Sequence, residues 1–420
     1  MAQTAYADTL RHAPRTAAPV SELALVREFI VDAHRAVIGY GWAPQSPPAA
    51  NDDPRLFTQL RSAGAQTPVG SRTIFIPCTF EQMADGCLRL LDPRKTVLEV
   101  SPLLRHTPEG IRIRGALLAY AKSSGFRLAF DHTVLRPEYA AWLPMASYVQ
   151  LDMQTLGEAE AVQLARHVSL HTKAQALARN VSTDAQYEDM KGAGAALFEG
   201  LWFAKPPESP QARVLTSQAS VLQLLALVSR DAEIGDIENV LKRDPALSFR
   251  LLSFINSPGF GMTIEITSFR HAVMVMGMKR LLRWAALLLT AKRPGGPAPA
   301  AGTIAVVRGR MMELLAADKL SPAQCDTAFV VGVFSMLDTL LGIPLAAAMD
   351  MVNLPADAVD AVLHGRGPYA PYLMLARSCE AGAGLAACAS PDALGYTREQ
   401  LNAIHLQGLM WADHFENGMA

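Results

Sequence analysis

Arg243–Gly277, RDPALSFRLLSFINSPGFGMTIEITSFRHAVMVMG, decides the architecture of the second half of the chain. Asp244-Pro245 reads as a helix start, with Asp as N-cap and Pro at the first helical position, where its missing N–H costs nothing. Leu247, Leu251, Leu252 and Ile255 recur at helical spacing and give one apolar face. Asn256-Ser257-Pro258-Gly259 stops that helix, because Pro cannot continue it and Gly accepts positive φ. Thr267-Ser268 offers a second cap, and Ala272, Val275 and Met276 form another apolar face that ends at Gly277. Met278–Trp284 then leads into a third helix.

Working outward, helical patterning spreads over the C-terminal half. Helices are expected at Gln218–Ser229, at Ile237–Leu241 behind Asp236 as cap, and at Leu281–Ala291. Further helices are expected at Ile304–Ala317, Ala328–Leu341, Pro344–Val352, Asp357–Leu363, Tyr369–Gly382 and Arg398–His414. Arg293–Gly302, RPGGPAPAAG, reads as a loop inserted between helices. Lys205–Pro210 carries three prolines and reads as a stiff linker. Upstream of it the pattern changes. Apolar strand-like runs at Leu23–Val31, Ala36–Trp42, Thr73–Ile76, Thr96–Val100, Arg127–Phe130, Tyr148–Leu151, Ala176–Ala178 and Leu197–Phe203 alternate with helical stretches. Those stretches are Thr79–Leu91, Pro108–Ser123, Leu156–His171 and Asp184–Ala193. Such alternation predicts a parallel β/α barrel, with its chemistry at the C-terminal ends of the strands. The expected organisation is a flexible tail at 1–19, a barrel domain at 20–207 and an all-helical domain at 208–420.

Composition bounds the partners. The chain has 420 residues, 50% of them hydrophobic and 18% charged, with a formal net charge of −1. That balance gives no electrostatic case for nucleic acid or an anionic membrane. No apolar run reaches the roughly 18 residues that a membrane span needs. The five cysteines include no C-x-x-C pair, which argues against zinc and for reduced thiols in a cytoplasm.

The string RDPALSFRLLSFINSPGFG followed by ITSFRHAVMVMGMKRLLRW resembles the HDOD domain, a bacterial all-helical signalling module related to HD phosphohydrolases. In the first half, LEVSP (98–102), FRLAFDH (126–132), YVQLDM (148–153) and LFEGLWFAKP (197–206) resemble the EAL family of cyclic di-GMP phosphodiesterases, built on a (β/α)8-like barrel. The fold class implied is therefore α/β plus all-α: an EAL-like barrel followed by an HDOD-like helical bundle.

The chemistry of the EAL family is only partly present. In the first-strand signature E-x-L-x-R the metal Glu falls on Gly41 and the phosphate-binding Arg on Gln45. The metal-ligand Asn of the next strand falls on Pro77. Glu99 matches a metal Glu and Asp131 the first Asp of an Asp-Asp pair whose second member is His132. The catalytic Lys becomes Gln150, although Asp152 is present. The pattern A-E-x-V-E-T reads Ala178–Thr183, with Arg179 and Ser182 at the two carboxylate positions, and the late Gln before Gly is Glu199. Two-metal hydrolysis needs several carboxylate oxygens to hold the ions and to activate a water. Glu99, Asp131, Asp152 and Glu199 are thus the candidate residues of a vestigial ligand pocket, without a catalytic set.

The helical half contains no His-Asp dipeptide, so the metal ligands of an HD hydrolase are missing there too. His271, His364, His405 and His414 are expected as capping or surface histidines, Lys279, Arg280 and Arg283 as a solvated basic face, and Met274, Met276 and Met278 as adaptable packing. There is no Walker A motif and no G-x-S-x-G elbow, so no catalytic residue, metal or cofactor is expected. The expected function is non-catalytic signal transduction through protein partners. Phe260, in the turn Ser257–Met262, is the candidate partner contact. The alternative is residual cyclic di-GMP binding or hydrolysis by the barrel.

Overall fold

The computed structural model describes residues 25–44, 72–101, 107–204, 216–256, 266, 268–291, 299–352, 354–380 and 394–419. Eight strands close into a barrel in chain order. They are β1 Leu25–Asp32, β2 Val37–Pro44, β3 Thr73–Pro77, β4 Thr96–Val100, β5 Arg127–Asp131, β6 Tyr148–Asp152, β7 Gln175–Arg179 and β8 Leu197–Glu199. From β2 to β8 every neighbouring pair is parallel. β1 instead runs antiparallel to both β2 and β8, because only a short turn separates it from β2 and a crossover helix has no room there. Asp32 fixes that turn by accepting from the backbone N–H groups of His34 and Ala36 at 2.8 and 2.9 Å. Ile30, Phe75, Val97, Ala129, Tyr148, Leu177 and Leu197 fill the barrel interior. Side chains alternate across a strand, so charged residues in step with these also point inward.

The helices of the barrel are α1 Phe80–Ala84, α2 Pro108–Ser123, α3 Met153–Leu156, α4 Glu158–His171 and α5 Asp184–Gly192. Glycines reset the bounds of two expected helices. Thr79–Leu91 becomes α1 and a 3-10 turn at Cys87–Leu90 after Gly86, and the helix expected from Leu156 begins at Glu158 as α4, cut off by Gly157 from the short α3 before it. The expected strand Leu197–Phe203 ends at Glu199 and continues as a 3-10 turn, Trp202–Ala204. The cause is Gly200, at φ +146°, where a Cβ would stand 2.2 Å from the carbonyl oxygen of Val181.

The helical half contains α6 Thr216–Ser229, α7 Ile234–Arg243, α8 Pro245–Ile255, α9 Phe269–Met276, α10 Met278–Thr290, α11 Pro299–Ala316, α12 Pro322–Phe334, α13 Leu337–Leu341, α14 Leu345–Val352, α15 Ala356–His364, α16 Ala370–Ser378 and α17 Arg398–Met419. The caps expected around α8 and α9 form: Asp244 accepts from Leu247 N–H at 3.0 Å and Ser268 from His271 N–H at 3.1 Å. Asn256 then clasps Ile266, donating to its carbonyl and accepting from its N–H, both at 2.8 Å. On α9 the buried positions are Ala272, Val273 and Met276, so Val273 takes the inward place expected of Val275. α7 begins three residues before the expected Ile237, with Glu233 at its N-cap and Asp236 in its first turn. α11 begins at Pro299, inside the expected loop.

Two compact units emerge. One gathers residues 22–205 with 298–307 and 374–420, and the other gathers 206–297 with 308–373. This grouping differs from a single cut at 207/208. The barrel unit keeps α17 because Leu401, Leu406, Leu409 and Ala412 are buried along it, and because Arg72 pairs with the buried Asp413 at 3.0 Å. The N–H of Ala300 also donates to Arg35 O at 3.1 Å. His405, expected at a surface or cap, is fully buried on that helix.

In the helical unit, Arg283 is not part of a solvated basic face. It makes two hydrogen bonds to Glu313, at 2.6 and 2.8 Å, and lies over the Phe329 ring. No helix among the described residues is long and apolar enough to cross a membrane.

Candidate functional site

The C-terminal ends of the parallel strands bring charged side chains together at the barrel mouth. Arg179 ends β7, Glu199 ends β8 and Glu99 is the penultimate residue of β4. Because β1 runs the other way, its earlier residue Glu28 comes to the same end, two positions from the interior Ile30. Arg179 sits among all three carboxylates, 2.9 Å from Glu199, 3.6 Å from Glu28 and 3.9 Å from Glu99. Glu199 is 1% exposed. Gly41 pairs with Glu28 in the β1–β2 ladder, and a Cβ there would stand 3.3 Å from Glu199 Oε2. The bare position leaves space that the Glu199 carboxylate uses.

Three acids around one base leave a surplus of negative charge, which raises the pKa of Glu28 and of Glu99. The neighbouring Glu199 carboxylate, together with burial, pushes Glu28 up to about 9. A side-chain hydrogen bond with Glu199 adds to the upward shift. Burial raises Glu99 above the ordinary carboxylate range; Arg179 opposes this, the Glu199 charge adds to it, and a 2.6 Å hydrogen bond from Gln150 opposes it again. For Arg179 itself burial favours loss of the proton, but Glu199, Glu99 and Glu28 outweigh it and hold the guanidinium charged.

Of the four residues expected in a vestigial pocket, the structure joins Glu99 and Glu199 in this cluster. The other two serve the strand ends. Asp131 caps the following 3-10 turn, accepting from Thr133 N–H at 2.8 Å. Asp152 accepts from Gln154 N–H at 2.9 Å and from the Asn180 side-chain amide at 2.8 Å. Phe260 and Gln45 lie outside the described residues.

Glu28 escaped the sequence reading. Its signal was an acid in step with Ile30 on an otherwise apolar strand. Among the described residues, no group of three or more His, Cys, Asp or Glu side chains is arranged to hold a metal ion.

Residues 215–294 match the HDOD domain model. The chain is 26% identical over 253 residues to the cyclic di-GMP phosphodiesterase CdgJ of Vibrio cholerae, a match covering 60% of this chain and 59% of that protein. It is 24% identical over 338 residues to the uncharacterized protein YuxH of Bacillus subtilis, covering 77% of this chain and 80% of YuxH. Among solved structures, Bacillus subtilis YkuI, which has an EAL domain and is in complex with cyclic di-GMP and calcium, overlaps at 14% identity and a TM-score of 0.37. That overlap covers 55% of this chain and 74% of that one. An EAL-domain protein from Listeria monocytogenes overlaps at 18% identity and a TM-score of 0.34, covering 43% and 87%. An eight-stranded barrel is thus followed by a helical region that carries the HDOD match, in a chain similar to the cyclic di-GMP phosphodiesterase CdgJ and to YuxH.

Proposed function

We propose that the protein is a non-catalytic signalling component whose barrel serves as a scaffold or sensor and whose helical half engages protein partners. The observation that carries this reading is the position of Arg179. A fixed guanidinium stands between Glu28, Glu99 and Glu199, of which Glu99 falls on a metal-ligand position of the EAL pattern. A cation approaching them meets a positive charge already in place. The same arrangement disfavours phosphate binding by Arg179, since three carboxylates already engage it.

The helical half contributes surface. Phe249 on α8 and Met274 on α9 are 72% and 62% exposed, apolar area of the kind a protein partner covers. Phe260, outside the described residues, remains the proposed contact.

The likeness to CdgJ, whose name carries phosphodiesterase activity, keeps a second reading in play: retained cyclic di-GMP binding at a mouth lined by Glu99, Asp131, Asp152 and Glu199. A thermal-shift series with cyclic di-GMP, with and without Mg²⁺ or Mn²⁺, separates the two. The scaffold reading expects no shift under any condition. A saturable shift by the nucleotide alone transfers the barrel to the sensor role, and a shift that requires metal contradicts the cation argument.

A further inference from the structure

We propose that His167 and His171 on α4 form a two-imidazole binding site for a divalent transition-metal ion of the Cu²⁺, Ni²⁺ or Zn²⁺ type. The two residues are one helical turn apart, on the same face of the helix. Both are exposed, and their ring centroids stand 4.9 Å apart with the planes inclined at 45°.

That separation suits chelation. With metal–nitrogen bonds of about 2.0–2.1 Å, two rings at this spacing subtend roughly 95° at a common ion, within the range of tetrahedral and square-planar coordination. Histidines at i and i+4 on one helix face are an established way for a helix to present two ligands to zinc. Here the helix is already formed and the rings already lie together, so little ordering remains for binding to impose. Imidazole selects borderline transition ions over Mg²⁺ and Ca²⁺, which prefer oxygen. Two protein ligands leave coordination positions open to water or to a donor from another molecule. The site is separate from the barrel-mouth cluster, which consists of carboxylates and a guanidinium.

The test uses the full chain titrated with Cu²⁺ alone and with Zn²⁺ alone by calorimetry, with electron paramagnetic resonance on the Cu²⁺ form. In the wild type the Cu²⁺ spectrum is expected to show two coordinated imidazole nitrogens. H167A and H171A are each expected to weaken the site about tenfold or more, since either leaves a single imidazole in place of the chelate, and the loss in the double variant should be smaller than the sum of the two single losses. Both substitutions are at exposed positions, and far-UV circular dichroism checks that α4 persists. Wild-type affinity in both single variants, or independent additive losses from the two, would overturn the proposal.

Discussion

The Arg179 guanidinium lies 2.9 Å from a Glu199 carboxylate that is only 1% exposed. Glu28 and Glu99 approach the same guanidinium from β1 and β4. One side chain thus supplies the positive charge around which the barrel mouth is organised, and it offsets part of the upward shift that burial and like charge impose on Glu28 and Glu99.

Glu28 should make stability depend on pH. Its folded pKa, about 9, exceeds that of an exposed glutamate, so the folded state holds a proton that the unfolded chain releases. The contribution is fully present below about pH 4.5 and is lost as pH rises through 9. Glu28→Gln keeps a donor toward Glu199 and removes the titration. It should stabilise the protein at pH 7 by up to on the order of 3 kcal/mol and flatten the stability profile between pH 5 and 9. Urea unfolding of both proteins across that range checks this, and parallel profiles would contradict it.

Arg179→Met removes the internal cation and leaves the three acids to one another. Breaking a buried pair costs about 3–5 kcal/mol, which thermal melting reads directly. Mn²⁺ should restore part of the loss in this variant while leaving the wild type unmoved, because only the variant has room and charge for it.

The grouping of α17 with the barrel predicts that Arg72→Met, which takes the cation from buried Asp413, destabilises the barrel by about 3–5 kcal/mol. Hydrogen exchange followed by mass spectrometry should show β2 and β3 losing protection. If only peptides from 216–291 loosen, α17 belongs with the helical half.

Asn256→Ala deletes both hydrogen bonds to Ile266. The loss should be about 1–3 kcal/mol, since the Ile266 amide and carbonyl are left without these partners. A lowered denaturation midpoint at unchanged slope is the expected result.

Much of this was legible in the sequence. Apolar runs of five or so residues separated by helical stretches predicted the barrel, and Asp244-Pro245 and Ser268 announced the starts of α8 and α9 because capping is local chemistry. What escaped was set by tertiary contact. The end of β8 depends on Gly200 meeting the Val181 carbonyl. His405 looked like a surface residue because its burial follows from the packing of α17 in the barrel unit. Arg179 read as a missing carboxylate, and its engagement of Glu28 depends on β1 being antiparallel, which brings a residue from early in the chain to the mouth.

Arg179, engaged by Glu28, Glu99 and Glu199, leaves the barrel mouth unfitted for divalent ions, and turnover tests this most directly. Purified full-length protein is incubated with cyclic di-GMP and Mg²⁺ or Mn²⁺, and the linear product is followed by chromatography. The account predicts no product above a metal-only control. Metal-dependent hydrolysis by the wild type that disappears in Glu99→Gln would contradict it.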